Sequence, residues 1–394
     1  MNTLSKTFDR YGNGCISGTS GEPADSSLMD APRLEIDLDK IYHNAHELVV
    51  RCAKKGISVS AVTKATLGSV EIAATLLQAG VNELADSRIE NIKSMRHTAI
   101  DRLTKEASML LIRSPMLSQA AQVVMYADTS CNTEIAVIKK LSVEAQRQGR
   151  IHQILLMVEL GDLREGIMPE DLLAVVREVL GLPHILLKGI GTNLACRSGV
   201  SPDSTNMAEL SRLADSVEAK FDLRLDVISG GNSANLHWAL SGKGTKIGRV
   251  NNLRLGEAIL LGCETLKSQP IEGLHTDAIT LVAEVIESKL KPTKPTGNIA
   301  QTAFGDAAPV MDRGSIRQSI LAIGRQDVDC CGLRSPLGIK ILGSSSDHLM
   351  VESSIDDLFV GQEVKFHINY SALLGAMTSP FVSKKFMLRK GPYC

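Results

Sequence analysis

Between residues 57 and 254 the chain repeats one unit: a short apolar run followed by a stretch with helical periodicity. The apolar runs fall at 57–63, 82–85, 108–113, 128–131, 153–158, 185–191, 224–228 and 250–254. Such short runs, bounded by turn residues, read as strands buried on both faces. Glu134–Gln148, Pro169–Leu180 and Ser204–Lys220 carry apolar residues at helical spacing between them. Parallel strands require a crossover between neighbours, and a helix is the usual one. Eight strands with helical crossovers point to a closed barrel rather than an open doubly wound sheet. The expected class is therefore α/β, a TIM-type (β/α)8 barrel over residues 32–266.

After about residue 266 the pattern changes. Pro270, Pro292, Pro295 and Gly297 interrupt the chain, and β-rich runs follow at 278–285, 319–323, 338–342, 349–352 and 364–368. No long helical pattern intervenes, so residues 267–394 are expected to form a second, mainly β domain. The alternating strand Leu34-Glu-Ile-Asp-Leu38 is a candidate to join that domain. Residues 1–31 are rich in Gly, Ser, Asp and Pro, without periodicity and without the apolar core of a signal peptide. They are expected to be a mobile extension.

Composition removes several functions. A net charge of −1 draws in neither nucleic acid nor anionic membrane. No apolar run reaches the length of a membrane span. The 8 cysteines show neither a zinc spacing nor a small-domain disulfide framework, so no metal and a reducing cytoplasm are expected. The adjacent Cys330 and Cys331 read either as a redox pair or as ordinary loop thiols.

The chemistry gathers at strand ends. Lys64 closes the first barrel strand, in Ile57-Ser-Val-Ser-Ala-Val-Thr-Lys-Ala-Thr-Leu-Gly68. Desolvating an ammonium is costly, so a lysine here either snorkels to solvent or is neutralised, as in a Schiff base with an aldehyde cofactor. The seventh strand is followed by Ser229-Gly-Gly-Asn-Ser233 and the eighth by Leu253-Arg-Leu-Gly-Glu257. Each alone is ordinary turn chemistry. Together they occupy the loops where barrels hold phosphate, with glycines that let backbone N–H groups approach an anion. A phosphorylated aldehyde satisfies both halves, and pyridoxal 5′-phosphate is such a molecule.

Eight motifs sharpen this. Val62-Thr-Lys64, Asp86-Ser-Arg-Ile-Glu-Asn91, Gly189-Ile-Gly-Thr-Asn193, Gly230-Gly-Asn-Ser233, Arg254-Leu-Gly256, Ile323-Gly-Arg-Gln-Asp327, Ser346-Asp-His348 and Ala376-Met-Thr-Ser-Pro380 resemble the alanine/ornithine racemase family, nearest its ornithine branch. The resemblance runs from roughly residue 32 to 385. It implies a pyridoxal-phosphate-dependent racemase of the alanine-racemase fold type, interconverting L- and D-amino acids by two-base exchange of the α-proton. Lys64 matches the Schiff-base lysine and one of the two bases. Asn193 stands where classical members place a histidine against the cofactor ring. Ser233, with Gly256 and Glu257, would hold the phosphate. Arg254 would face the pyridine nitrogen and disfavour a proton there. Arg164 matches a substrate-side arginine, with a surface loop charge as the plainer alternative.

The departures concern the second base. The family's catalytic tyrosine is matched by Phe304, which has no proton to exchange. A tyrosine that touches the phosphate looks replaced by Phe381, and the one just after the lysine is missing at Leu67-Gly68. His348, with Asp347 or a nearby hydroxyl setting its tautomer, is the candidate second base, against a structural strand-end histidine. Cys196 beside Arg197 is the other exchangeable acid, against a small buried thiol. Glu159, Asp306 and Asp347 are the acids expected to pair with the distal ammonium of ornithine or lysine. The expected partner is a second copy of the chain, forming a homodimer whose β domain closes the neighbour's site. Alternatives left by the sequence are a non-enzymatic pyridoxal-phosphate carrier, a basic amino-acid decarboxylase, and another pyridoxal-phosphate reaction such as epimerisation.

Overall fold

The computed structural model describes residues 31–98, 106–241, 247–305 and 311–387. The expected mobile extension over 1–31 thus falls almost wholly outside the described residues.

Eight parallel strands close into a barrel: β2 (Ser58–Val62), β3 (Glu83–Asp86), β4 (Ser108–Leu111), β5 (Thr129–Asn132), β6 (His152–Met157), β7 (Ile185–Gly191), β8 (Val227–Ser229) and β9 (Asn252–Leu255). Closure is made where Ala61 of β2 faces both Leu255 of β9 and Leu84 of β3. Helices wrap the outside and bury their apolar stripes on the strands. In Leu38–Ala53, for example, Ile41, Ala45 and Leu48 are fully buried, and the Asp37 carboxylate caps the first turn. Val62, Ala85, Leu110, Cys131, Leu155 and Met157, from β2 to β6, form a separate apolar cluster. Val62 and Met157 of that cluster also line the cavity at the carboxyl ends of the strands.

A polar chain runs through the barrel beside that cluster. The Ser60 hydroxyl donates to Glu83 at 2.6 Å, and Lys188 meets the same carboxylate at 3.3 Å. Asn252 Nδ2 donates to Ser60 at 2.9 Å, while its Oδ1 accepts from Ser229 at 2.6 Å. Ser229 in turn accepts from Arg254. Every donor in this series points away from the guanidinium and toward the carboxylate.

The second domain is an antiparallel sheet in the order β12 (Leu333–Arg334), β15 (Glu363–Ile368), β10 (Ile279–Pro292), β11 (Ser315–Leu321), β14 (Leu349–Ser353), β13 (Ile339–Ser344). The strand β1 (Arg33–Asp37) lies in this sheet, antiparallel to β10 and parallel to β16 (Ser383–Met387). Arg33 ties it to β15 through Glu363 at 2.7 Å.

One element departs from expectation. Tyr370–Thr378 is a nine-residue helix, where only strands were expected. It packs on the short 3-10 turn Lys64–Thr66 and so carries the second domain onto the barrel mouth. Its signals are local: Asn369 accepts from Ala372 N at 2.9 Å, and Pro380 follows the last turn. Among the described residues no helix is long and apolar enough to cross a membrane.

Candidate active site

A cavity of about 690 Å³ opens at the carboxyl ends of the barrel strands. Its lining brings together Lys64, Arg164, Asn193, Ser233, Arg254, Gly256 and Glu257, residues drawn from five different strand ends.

Lys64 begins the 3-10 turn that follows β2. Its amine makes no hydrogen bond or ion pair among the described residues, and it lies 5.8 Å from the centre of the Tyr370 ring. Burial holds this ammonium below its usual range, with the nearby charges acting in both directions. The turn is braced from behind. Thr63 Oγ1 donates to the buried Asp86 carboxylate at 2.7 Å, and Asn91 Nδ2 and Arg88 N donate to its other oxygen at 3.0 and 2.9 Å. Burial nonetheless pushes the Asp86 carboxyl up.

The loops after β9 and β8 form a cradle of unspent N–H groups. Gly256 ends β9 and precedes the short helix Glu257–Leu261; a Cβ on it would press on Val62 at 3.1 Å. Ser233 is buried, and its Oγ accepts from Ala258 N at 3.2 Å, which knits the two loops together. The backbone N–H groups of Ser233, Gly256 and Glu257 are spent on no acceptor among the described residues. Three free N–H groups and a hydroxyl are what a phosphate dianion requires. The Glu257 carboxyl accepts from Thr265 at 3.3 Å and is pushed up by burial.

Arg254 is 5% exposed; it donates to Ser229 and, at 2.7 Å, to Thr192 O. Asn193 lies among Arg254, Asn232 and Arg164. Its oxygen accepts from Asn232 Nδ2 at 3.0 Å, and turning the amide over would present that oxygen to Arg164 instead. Arg164 is held by its neighbour Glu165.

The other expected site residues lie elsewhere. His348 and Asp347 sit exposed at the turn of the β13–β14 hairpin and do not line the cavity of their own chain. Asp347 accepts from Gln326 there. Asp306 lies outside the described residues. Glu159 is spent on its own loop, accepting from the N–H groups of Gly161, Leu163 and Arg164. It is buried and does not line the cavity, so it does not face a ligand there. Phe304 is half-exposed and stacks on Arg325, 4.3 Å from ring centre to guanidinium.

The sequence reading missed three lining residues. Phe381 is 75% exposed and outside the cavity, whereas a tyrosine, Tyr370, does line it. The Tyr370 hydroxyl is buried with no partner among the described residues, and burial pushes its pKa up. The helix-start signal at Asn369 could have found it. Arg113, after β4, lines the cavity without an ion pair among the described residues. Glu165 lines it beside Arg164.

Comparison with known proteins agrees with this geometry. Residues 36–263 match the model of the alanine racemase N-terminal domain. The chain is 38% identical to an ornithine racemase of Acetoanaerobium sticklandii over 361 residues, 90% of this chain and 99% of that one. It is 35% identical to a lysine racemase of Thermotoga maritima, over 91% and 99% of the two chains. Among solved structures, alanine racemase from E. faecalis superposes with a TM-score of 0.66 at 18% identity, over 90% and 98% of the chains. With a domain match over more than half its length and identity of this order from end to end, the chain belongs to the alanine racemase family of enzymes.

Proposed function

We propose that the protein is a pyridoxal-phosphate-dependent racemase of basic amino acids, with ornithine and lysine as the first substrates to test. One observation carries the reading: an unpartnered, half-buried amine at Lys64 shares a cavity with a cradle of free N–H groups at Ser233, Gly256 and Glu257. The racemase relatives named for ornithine and lysine support the substrate class.

The residues fit the cofactor. The cradle suits its phosphate, the orphaned Tyr370 hydroxyl offers a further donor in the same cavity, and Lys64 suits its aldehyde. When bound, pyridoxal phosphate supplies a conjugated ring that withdraws electrons from a substrate's α-carbon. The chain's own groups do the rest. Lys64, kept below the usual lysine range by burial, is a base for an α-proton. Arg254 is the residue available to the ring nitrogen, and its fixed charge disfavours a proton there. The barrel chain from Ser229 to Glu83 holds that guanidinium in place. Arg164 and Arg113 are cations available for the substrate carboxylate.

His348 and Asp347 contribute only if a second copy brings its β13–β14 hairpin over this cavity, which makes a homodimer part of the proposal. Loading the purified protein with pyridoxal phosphate and reducing it with borohydride should attach the cofactor to Lys64, and polarimetry should show L- and D-ornithine or lysine converging on a racemate. Label on a different lysine, or no optical change with any basic amino acid, would refute the reading.

A further inference from the structure

Racemisation needs two proton-exchanging groups on opposite faces of the α-carbon, because one base returns the proton to the side it came from. Resting on the racemase reading, we propose that Cys196 is the group that works opposite Lys64.

Position around the rim carries the argument. The cradle is built on β8 and β9. On one flank, β9 pairs with β2, which delivers Lys64; on the other, β8 pairs with β7, which delivers Asn193 and Cys196. A flat molecule anchored at the cradle and crossing the mouth therefore has Lys64 on one side and Cys196 on the other. Both side chains line the same cavity.

The other acidic side chains of the lining stand on the Lys64 flank or are engaged. Tyr370 stacks near Lys64, and Glu257 follows β9 beside β2, so both stand on the Lys64 flank. Glu165 is engaged by Arg164. Phe304 carries no exchangeable proton, and His348 reaches the cavity only from a second copy, so the His348→Ala variant below separates it from Cys196.

Cys196 is also held in place. The buried Asp162 carboxylate accepts from the N–H groups of Cys196, Arg197 and Ser198 at 3.1, 2.9 and 3.2 Å. Ala195, just before it, is fixed in the left-handed region at φ 56°. The Cys196 Sγ lies 3.0 Å from the Asn193 side-chain amide and 3.4 Å from the Asn232 amide nitrogen. A loop clamped this way holds the thiol in the lining of the cavity that the cradle shares.

In the step itself, the C–H bond on the Lys64 face breaks and its proton goes to the Lys64 amine. The Cys196 S–H bond breaks, its electron pair stays on sulfur, and the proton forms a new C–H bond on the opposite face. The reverse direction exchanges the two roles, and solvent resets both groups.

Two measurements test this. In D2O, the loaded Cys196→Ala enzyme should racemise ornithine or lysine at least about 100-fold more slowly in both directions. It should still exchange the α-proton of one enantiomer, with retention, while the other enantiomer loses exchange. Cys196→Ser should show the same asymmetry with an intact fold. Racemisation within about threefold of wild type, or equal loss of exchange from both enantiomers, would overturn the proposal. So would the asymmetric pattern appearing in His348→Ala and not in the cysteine variants. The second measurement needs no turnover: iodoacetamide should alkylate Cys196, which is exposed, about tenfold more slowly once pyridoxal phosphate is bound, while the exposed Cys331, outside the cavity, reacts unchanged. An unprotected Cys196 would refute the placement. A wild-type protein that neither racemises nor exchanges any basic amino acid would instead refute the racemase reading beneath it.

Discussion

Gly231→Ala tests the cradle from the inside. Gly231 has φ 141°, a conformation L-residues rarely adopt, and a Cβ there would stand 2.2 Å from Asn235 Oδ1. That oxygen is not free to move. It accepts from Asn232 N at 3.0 Å, while Asn235 Nδ2 donates to Gly230 O at 2.8 Å, and Asn235 is fully buried. Displacing it forfeits two buried hydrogen bonds at about 1 kcal/mol each, more where a group is left unpaired. Backbone strain adds roughly 1–3 kcal/mol. The expected loss is about 3–5 kcal/mol for this loop, and the loop carries Ser233, so cofactor affinity should fall at least about tenfold for each 1.4 kcal/mol that reaches the phosphate. The probe is built in. Trp238, the single tryptophan, is buried in the helix Asn235–Leu240 that leaves this loop. Its fluorescence in a denaturant titration, with and without pyridoxal phosphate, reports both quantities. Gly297→Ala is the control: φ is 104° but a Cβ there meets nothing within 4 Å, so it carries strain without the clash. If Gly231→Ala unfolds at the wild-type midpoint and binds the cofactor as tightly, the cradle has been misread.

Other perturbations separate the remaining parts. Tyr370→Phe should raise the stability of the cofactor-free protein by about 1 kcal/mol, because the buried hydroxyl has no partner to lose, and weaken pyridoxal-phosphate binding; a change of the same sign in both melts refutes this. Ser229→Ala removes the link between Arg254 and Asn252, leaves buried polar groups unpaired, and should cost about 1–3 kcal/mol by denaturant titration, with a midpoint unchanged from wild type counting against the barrel chain. His152 is buried against Ser130 and its pKa is lowered by burial from 6.5 to about 4. Below 6.5 the unfolded chain takes up a proton that the folded one refuses until about 4, so stability is lost as pH falls through this window, by about 3 kcal/mol in all. His152→Gln should flatten that part of the curve of unfolding midpoint against pH; an unchanged slope assigns the acid sensitivity elsewhere.

Much of the architecture was legible along the chain because each barrel unit declares itself locally. A buried parallel strand is an apolar run, its crossover helix has a 3.6-residue stripe, and both signals lie within about thirty residues. Lys64, Ser233 and Gly256 were legible for the same reason, since each stands at the end of a strand that could be drawn. The helix Tyr370–Thr378 was not, because its alanines, leucines and methionine give only a weak periodic contrast after a run of strands.

By itself, the sequence determined the eightfold strand–helix alternation, the β-rich second domain, and a set of strand-end residues suited to a phosphorylated aldehyde. Only the tertiary structure decided which distant residues meet. Tyr370 reaches Lys64 because a helix of the second domain packs on the lysine's turn, Glu159 turned inward to satisfy its own loop, and Cys196 lines the cavity in a loop whose backbone N–H groups gather around the Asp162 carboxylate. Periodicity records which face of an element is buried; which side chains share a cavity depends on barrel closure and domain docking, and those join residues hundreds of positions apart.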